Sequence, residues 1–394
     1  MAGKWDWLKD QMKGFKGLKN LPIILKFIKG KVKGPDDITK CTLCPNMCRH
    51  ACPVGIVDGK ETTSPSGKSR IGYLIENKKI DFTLENLYPI YMCLSCGCCE
   101  KYCPFDFSVS DILQPIKDKA IKNDIVFDEF KDVLKNLKNY GYVYGENKNK
   151  KIKDESVEKS KGTILYISGC TFREKFPEVP TKTKKILTNE GYSVTTLEDE
   201  KCCGIPAYHI GDMDTFGKLA KENIDMINSK DFDYIVTSCP SCTYAFRNLY
   251  SEKGYELKKQ VMHITEFIDK NVKDFNLKFK ENTRITYHEP CKLVNSLKKP
   301  DVMKNVLQKI EGIDIKTPRR HGENTFCCGY GGSTICRLNP ELSNDISKER
   351  LNELTSISKN IVTSCPTCKE AFENNKENGI NVYDIAELID KYQK

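Results

Sequence analysis

Apolar residues fall into two kinds of pattern along this chain. Ile112, Leu113 and Ile116, then Phe130, Val133, Leu134 and Leu137, recur at helical spacing, so residues 111–139 are expected to be mostly helical. Past residue 161 the pattern changes to short β-type runs, Thr163–Ser168, Tyr234–Thr237, Arg284–Tyr287 and Asn360–Thr363, each leading into a cysteine. Helical stretches such as Asp214–Asn228 and Asn339–Leu354 lie between them. Strands alternating with helices predict small α/β units, with the cysteines at strand ends where a sheet meets solvent or ligand. Between the two regions, Glu146 to Lys161 carries almost no apolar side chain and reads as a linker.

The α/β part is written twice. Ile235-Val236-Thr237-Ser238-Cys239-Pro240 recurs as Ile361-Val362-Thr363-Ser364-Cys365-Pro366, and each is followed by Ala-Phe, Ala245-Phe246 and Ala371-Phe372. Val261, Ile264, Glu266 and Ile268 return as Val382, Ile385, Glu387 and Ile389. Two such units in pseudo-twofold relation would bring their cysteine ends together.

Charge is concentrated at one end. Residues 1–34 hold nine lysines and two aspartates, which is +7 of the net +9. Trp5, Trp7, Leu8, Met12, Phe15, Leu18, Ile23, Ile24, Phe27 and Ile28 are interleaved with those lysines. Such an arm suits an anionic membrane surface or an apolar groove on a partner, or packs on its own domain. No nucleic-acid reader motif accompanies it, and no nucleic acid is expected. Gly34-Pro35 ends any helix. The apolar run Leu21 to Leu25 contains Pro22 and is bracketed by lysines, unlike a signal peptide. The longest uncharged stretch, Asn86 to Cys99, is too short to span a bilayer. The chain is expected to be cytoplasmic, or peripheral on the inner face of a membrane.

Cysteine changes the picture most. The chain has 20, and they cluster as CxxC and CC groups rather than scattering through loops, which favours metal ligation in a reducing compartment over disulfides. The front block holds Cys41-x2-Cys44-x3-Cys48-x3-Cys52-Pro53 and Cys93-x2-Cys96-x2-Cys99-x3-Cys103-Pro104. The second run has the bacterial ferredoxin spacing, and the first carries one extra residue before Cys48. In two-cluster ferredoxins the Pro-flanked fourth cysteine serves the other cluster. The crossed arrangement places Cys41, Cys44, Cys48 and Cys103 on one [4Fe-4S] cube, and Cys93, Cys96, Cys99 and Cys52 on the other.

The back half holds two five-cysteine sets: Cys170, Cys202, Cys203, Cys239 and Cys242, then Cys291, Cys327, Cys328, Cys365 and Cys368. Five thiols exceed what a tetrahedral zinc or a four-cysteine cube requires. Aiming two adjacent thiols inward needs a turn, which Gly204 and Gly329 permit. A structural zinc in one motif, or an ordinary cube with a spare thiol, are the alternatives. Cys98 and Cys336 fall outside both patterns and read as buried thiols. His288, three residues before Cys291, is a candidate proton donor to a substrate sulfur; the plainer role is bonding its own loop. Gly329-Tyr330-Gly331-Gly332 reads as support for a cluster loop, since it lacks the strand–GxGxxG–helix context of a dinucleotide site.

The back half resembles the cysteine-rich CCG domains, and the layout from about residue 35 onward resembles the D subunit of membrane-type heterodisulfide reductase. With the basic arm over 1–34 and the linker over 146–161, the resemblance implies a multidomain fold: a helix-rich two-cluster ferredoxin domain over 35–145 and two pseudo-repeated small α/β CCG domains over 162–275 and 276–394. It implies two cubane [4Fe-4S] clusters and two noncubane [4Fe-4S] clusters, one on each five-cysteine set. It also implies an oxidoreductase that moves electrons between the cubes and a paired site acting on a small-thiol disulfide. The redox partner would be a membrane cytochrome or a flavoprotein, docked partly through residues 1–34. An iron-sulfur component beside a flavin dehydrogenase for glycolate, lactate or glycerol 3-phosphate, feeding quinone, is the alternative.

Overall fold

The computed structural model describes residues 36–146, 161–273 and 278–392. The basic arm and, apart from its two end residues, the linker lie outside them.

The front block is helical. The stretch expected as helix over 111–139 divides into Val109–Lys122 and Asp128–Tyr140, separated where Asp124 takes a positive φ of 55°. Leu113 and Ile116 from the first helix, and Phe130, Val133 and Leu137 from the second, are fully buried with Leu87, Ile90 and Tyr91 of the helix Leu84–Tyr91. The helix Pro65–Glu76 approaches closely enough that a Cβ on Gly72 would sit 2.6 Å from the Ile116 side chain. The first cysteine run starts in the helix Asp37–Leu43, which holds Cys41 and ends at Cys44, and the rest of both runs follows in loops and short 3-10 turns.

Each α/β unit is a four-stranded parallel sheet. The first contains β1 (Thr163–Ile167), β2 (Ser193–Thr196), β3 (Tyr234–Thr237) and β4 (Val261–His263), in the order β2-β1-β3-β4. The second contains β5 (Lys278–Tyr287), β6 (Glu311–Lys316), β7 (Asn360–Thr363) and β8 (Asn381–Asp384), in the order β6-β5-β7-β8. The strand order is the same, so the sequence repeat is a repeat of topology. Ile235 pairs with Val261 as Ile361 pairs with Val382. The two units share a core, in which Val236, Phe267, Ile285, Val362 and Ile389 are all buried.

The front block is docked on the first unit by backbone capture. Tyr91 Oη donates to the Ile210 carbonyl at 2.8 Å, and buried Lys117 Nζ donates to the His209 carbonyl at 3.1 Å. Burial holds the Lys117 ammonium down at about 8. Among the described residues no helix is long and apolar enough to cross a membrane.

Gly211 sits at this junction with φ +111°, and a Cβ there would lie 2.5 Å from the Lys117 backbone. Gly211→Ala is expected to cost about 2–4 kcal/mol from strain plus clash. Gly254→Ala, at φ +80° with open space around it, should cost only the ~1 kcal/mol of a left-handed residue. Urea denaturation of the two variants side by side checks the difference.

Candidate functional site

Parallel strands deliver ligands at their C-terminal ends, and that is where these cysteines stand. Cys170 opens a helical segment two residues beyond Ser168, Cys239 caps the helix Pro240–Tyr244, and Cys365 caps the helix Pro366–Asn375. Cys291 leads into a wide π-type turn over Lys292–Ser296. The adjacent-cysteine corners turn as the glycines allow. Gly204 has φ +79° and Gly329 φ +88°, and a Cβ on Gly329 would meet the Ser343 carbonyl at 2.5 Å. Only glycine fits there.

The ten thiols form two matching chains. Cys170 and Cys202 Sγ atoms are 4.0 Å apart, and Cys291 and Cys327 Sγ atoms 3.8 Å apart. Cys203 lies within hydrogen-bonding reach of Cys202 and Cys242, which reaches Cys239. In the second copy Cys328 lies between Cys327 and Cys368, which reaches Cys365. Hydrogen bonds from their neighbours, ahead of burial, hold Cys203 and Cys328 well below the ordinary thiol range, while Cys202 and Cys327 are pushed well above it. All of these cysteines are free thiols. A donor set of five converging sulfurs, too crowded to ionise alone, fits a multi-iron centre.

Both sets face one cavity of about 80 Å³, open at its mouth, lined by nine of the ten cysteines. Leu94, Ile205, Pro206, Pro240 and Pro290 supply apolar wall, and Thr171, Ser241, Ser333 and Thr367 supply hydroxyls. Lys292 is the one lysine or arginine in the lining, mostly buried with its Nζ 4.6 Å from the Tyr244 ring centroid, and no carboxylate lines the space with it.

The front cysteines stand close together. The Cys41 thiol, which burial pushes to about 11, feels Cys48, Cys44 and Cys103; the Cys99 thiol feels Cys52, Cys96 and Cys93. The two groups meet where Cys48 and Cys99 come within hydrogen-bonding reach. The second group meets the back half where Cys96 reaches Cys327, and Cys365 in turn feels Cys239 of the first copy. These contacts join the first front group to the second, the second front group to the second copy, and the second copy to the first. Buried Lys68 stands among the front sulfurs and stabilises the charge of Cys48, Cys52 and Cys96.

Cys98 falls outside the four sets but lies within hydrogen-bonding reach of Cys96, and that contact, ahead of burial, pushes its thiol well above the ordinary range. Its Sγ also donates to the Thr325 carbonyl at 3.4 Å and accepts from Asn295 Nδ2 at 3.6 Å. Burial pushes Cys336 to about 11. His288 is placed behind Cys328, with a ring nitrogen within 4.8 Å of the Cys328 and Cys368 sulfurs, and it does not line the cavity. The glycine run packs on the ferredoxin loop: a Cβ on Gly332 would lie 3.2 Å from the Leu94 carbonyl, and Thr334 Oγ1 donates to the Cys93 carbonyl at 3.3 Å. Lys292 and Lys68 were not legible as site residues. Lys292 follows a ligand cysteine directly, but Lys68 lies in the 40-residue insert between the front runs, where sequence spacing carries no such signal.

Residues 164–247 and 285–373 match the CCG cysteine-rich domain, and residues 37–107 match a 4Fe-4S dicluster domain. The D subunit of the dihydromethanophenazine:CoB–CoM heterodisulfide reductase of Methanosarcina acetivorans is 25% identical over 383 residues, covering 90% of this chain and 93% of that protein. The B subunit of the fumarate reductase (CoM/CoB) of Methanothermobacter marburgensis is 26% identical over 309 residues, covering 76% of this chain and 61% of that one. An EtfAB:quinone oxidoreductase of Syntrophomonas wolfei is 29% identical over 246 residues, covering 57% of this chain and 34% of that one. The chain thus spans less than two thirds of these last two relatives. The twin CCG domains and the dicluster domain make this chain an iron–sulfur oxidoreductase similar to the D subunit of heterodisulfide reductase.

Proposed function

We propose that the chain carries electrons between two ferredoxin-type cubes and a paired CCG site that cleaves, or forms, the disulfide of a small thiol. The observation that supports this most is that both five-cysteine sets open into the same cavity. A disulfide has two sulfurs and takes two electrons and two protons to become two thiols, so a site with two equivalent sulfur-binding halves suits it. Cys41, Cys44, Cys48 and Cys103 would hold one cube, and Cys52, Cys93, Cys96 and Cys99 the other. Cys170, Cys202, Cys203, Cys239 and Cys242 would hold one noncubane cluster, and Cys291, Cys327, Cys328, Cys365 and Cys368 its counterpart. When bound, such clusters supply one-electron steps and iron able to take an outside sulfur.

The chain's own residues do the rest. Apolar wall from Leu94, Ile205 and the three prolines keeps water from the sulfurs, and the hydroxyls orient a small polar substrate. Lys292, a cation with no carboxylate beside it in the cavity lining, favours a substrate carrying an acidic group. The order of the four sets gives electrons a path from the cubes to the second copy and then the first. The partner would meet this path at the cube end, and a peripheral place on a membrane fits a cytochrome or flavoprotein partner. The likeness to an EtfAB:quinone oxidoreductase supports a second reading, in which the same centres only conduct electrons toward quinone beside a flavin partner.

Anaerobic purification with iron and zinc counts and electron paramagnetic resonance separates these readings. About sixteen irons, no zinc, and a new paramagnetic signal on adding an acidic thiol such as 3-mercaptopropionate are expected. About sixteen irons with no response to any thiol would favour the conduit, and about eight irons with zinc would end both. Cys98→Ala and Cys336→Ala should keep the full iron content, whereas Cys96→Ala should lose about four irons, read by the same iron assay.

A further inference from the structure

The two copies are built alike in front of the sulfurs and unlike behind them. In the second copy His288 is fully buried, edge-on to the Phe372 ring with centroids 4.9 Å apart. Arg350 Nε donates to its Nδ1 at 3.2 Å. A guanidinium only donates, so Nδ1 is an acceptor and the ring hydrogen is on Nε2. That N–H has no nitrogen or oxygen acceptor, and the ring lies within hydrogen-bonding reach of the Cys328 sulfur, with the Cys368 sulfur also within 4.8 Å of a ring nitrogen. Arg350 is itself locked: it is fully buried, and Nη1 binds Glu353 at 2.9 Å. Glu353 also binds Arg320, which reaches Glu349 at 2.9 Å.

The first copy has no such side chain; its sulfurs receive backbone hydrogen bonds instead, Gly204 N–H donating to Cys202 Sγ at 3.4 Å. Ile167 stands three residues before Cys170, where His288 stands before Cys291. Asn223 lies eleven residues past the N-cap Asp212, as Arg350 lies eleven past the N-cap Asn339. Asn223 commits its amide to the Cys202 and Leu219 carbonyls, both at 2.9 Å. Ile167 offers no polar hydrogen. The difference falls on the copy next to the cubes, through the Cys96–Cys327 contact.

We propose that His288, held in one tautomer by Arg350, is a positioning residue that gives the second five-cysteine centre a side-chain N–H donor to sulfur that has no counterpart in the first, setting the second centre at the higher reduction potential. A donor aimed at a ligand sulfur stabilises the extra negative charge of the reduced centre. The two halves of the paired site are then unequal, and an arriving electron rests on the second copy before it reaches the first. This rests on both sets holding iron–sulfur centres.

Redox titration followed by electron paramagnetic resonance tests it on the full chain. The wild type should show separate midpoints for the two CCG centres. His288→Leu should lower the higher midpoint by at least tenfold in the one-electron equilibrium, about 59 mV, and leave the lower one in place. His288→Gln, which keeps an N–H, should restore part of the shift, and Ile167→Leu should change neither. If His288→Leu loses iron, Arg350→Gln carries the test, because it frees the tautomer and must move the same signal in the same direction. Coincident wild-type midpoints, or an unmoved midpoint in His288→Leu, overturn the proposal while leaving the paired site intact. Five-cysteine sets without iron overturn both.

Discussion

Sulfur crowding governs this structure. Two thiolates 4 Å apart repel by about 4 kcal/mol even at an effective dielectric of 20, and Cys170–Cys202 and Cys291–Cys327 stand at 4.0 and 3.8 Å. Nine cysteines around one narrow cavity can be thiolates together only with concentrated positive charge between them. Iron supplies that, and the fold is arranged to present the sulfurs to it. Strand ends, helix starts and the two left-handed glycines each bring a thiol to the same side of a sheet.

The second consequence is order. The front helices form a frame pinned to the back half through carbonyl capture, by Tyr91 and Lys117 donating to the first unit and by Thr334 and Asn295 of the second unit donating to the Cys93 and Cys96 carbonyls. Asn295 donates to the Cys96 carbonyl at 2.8 Å from the turn just past Cys291. The ferredoxin loop and the second CCG centre are thus fixed to each other directly. In the proposed path electrons pass from the cubes to the second copy, which is the junction to the first.

Much of this was legible in the sequence. Cysteine spacing marked the four sets, since ligand geometry demands short fixed separations, and the strand runs ending at cysteines placed the sites at sheet ends. The repeated Ile-Val-Thr-Ser-Cys-Pro block foretold the equal strand orders. What could not be read depends on contacts between distant segments. The split near Asp124 needs a left-handed residue that periodicity does not mark. Lys68 becomes a site residue only when its helix folds under the ferredoxin loops. His288 showed its nearness to Cys291 in sequence, but not that Arg350, 62 residues away, would turn it toward Cys328.

The account stands on the claim that electrons reach both CCG centres through the cube that touches the second copy. Freeze-quench electron paramagnetic resonance on the Cys96→Ala chain, mixed with a low-potential protein donor, tests that claim directly. The account predicts that neither CCG centre fills on the wild-type timescale, although both still respond to added thiol. Filling of either centre at the wild-type rate would contradict it.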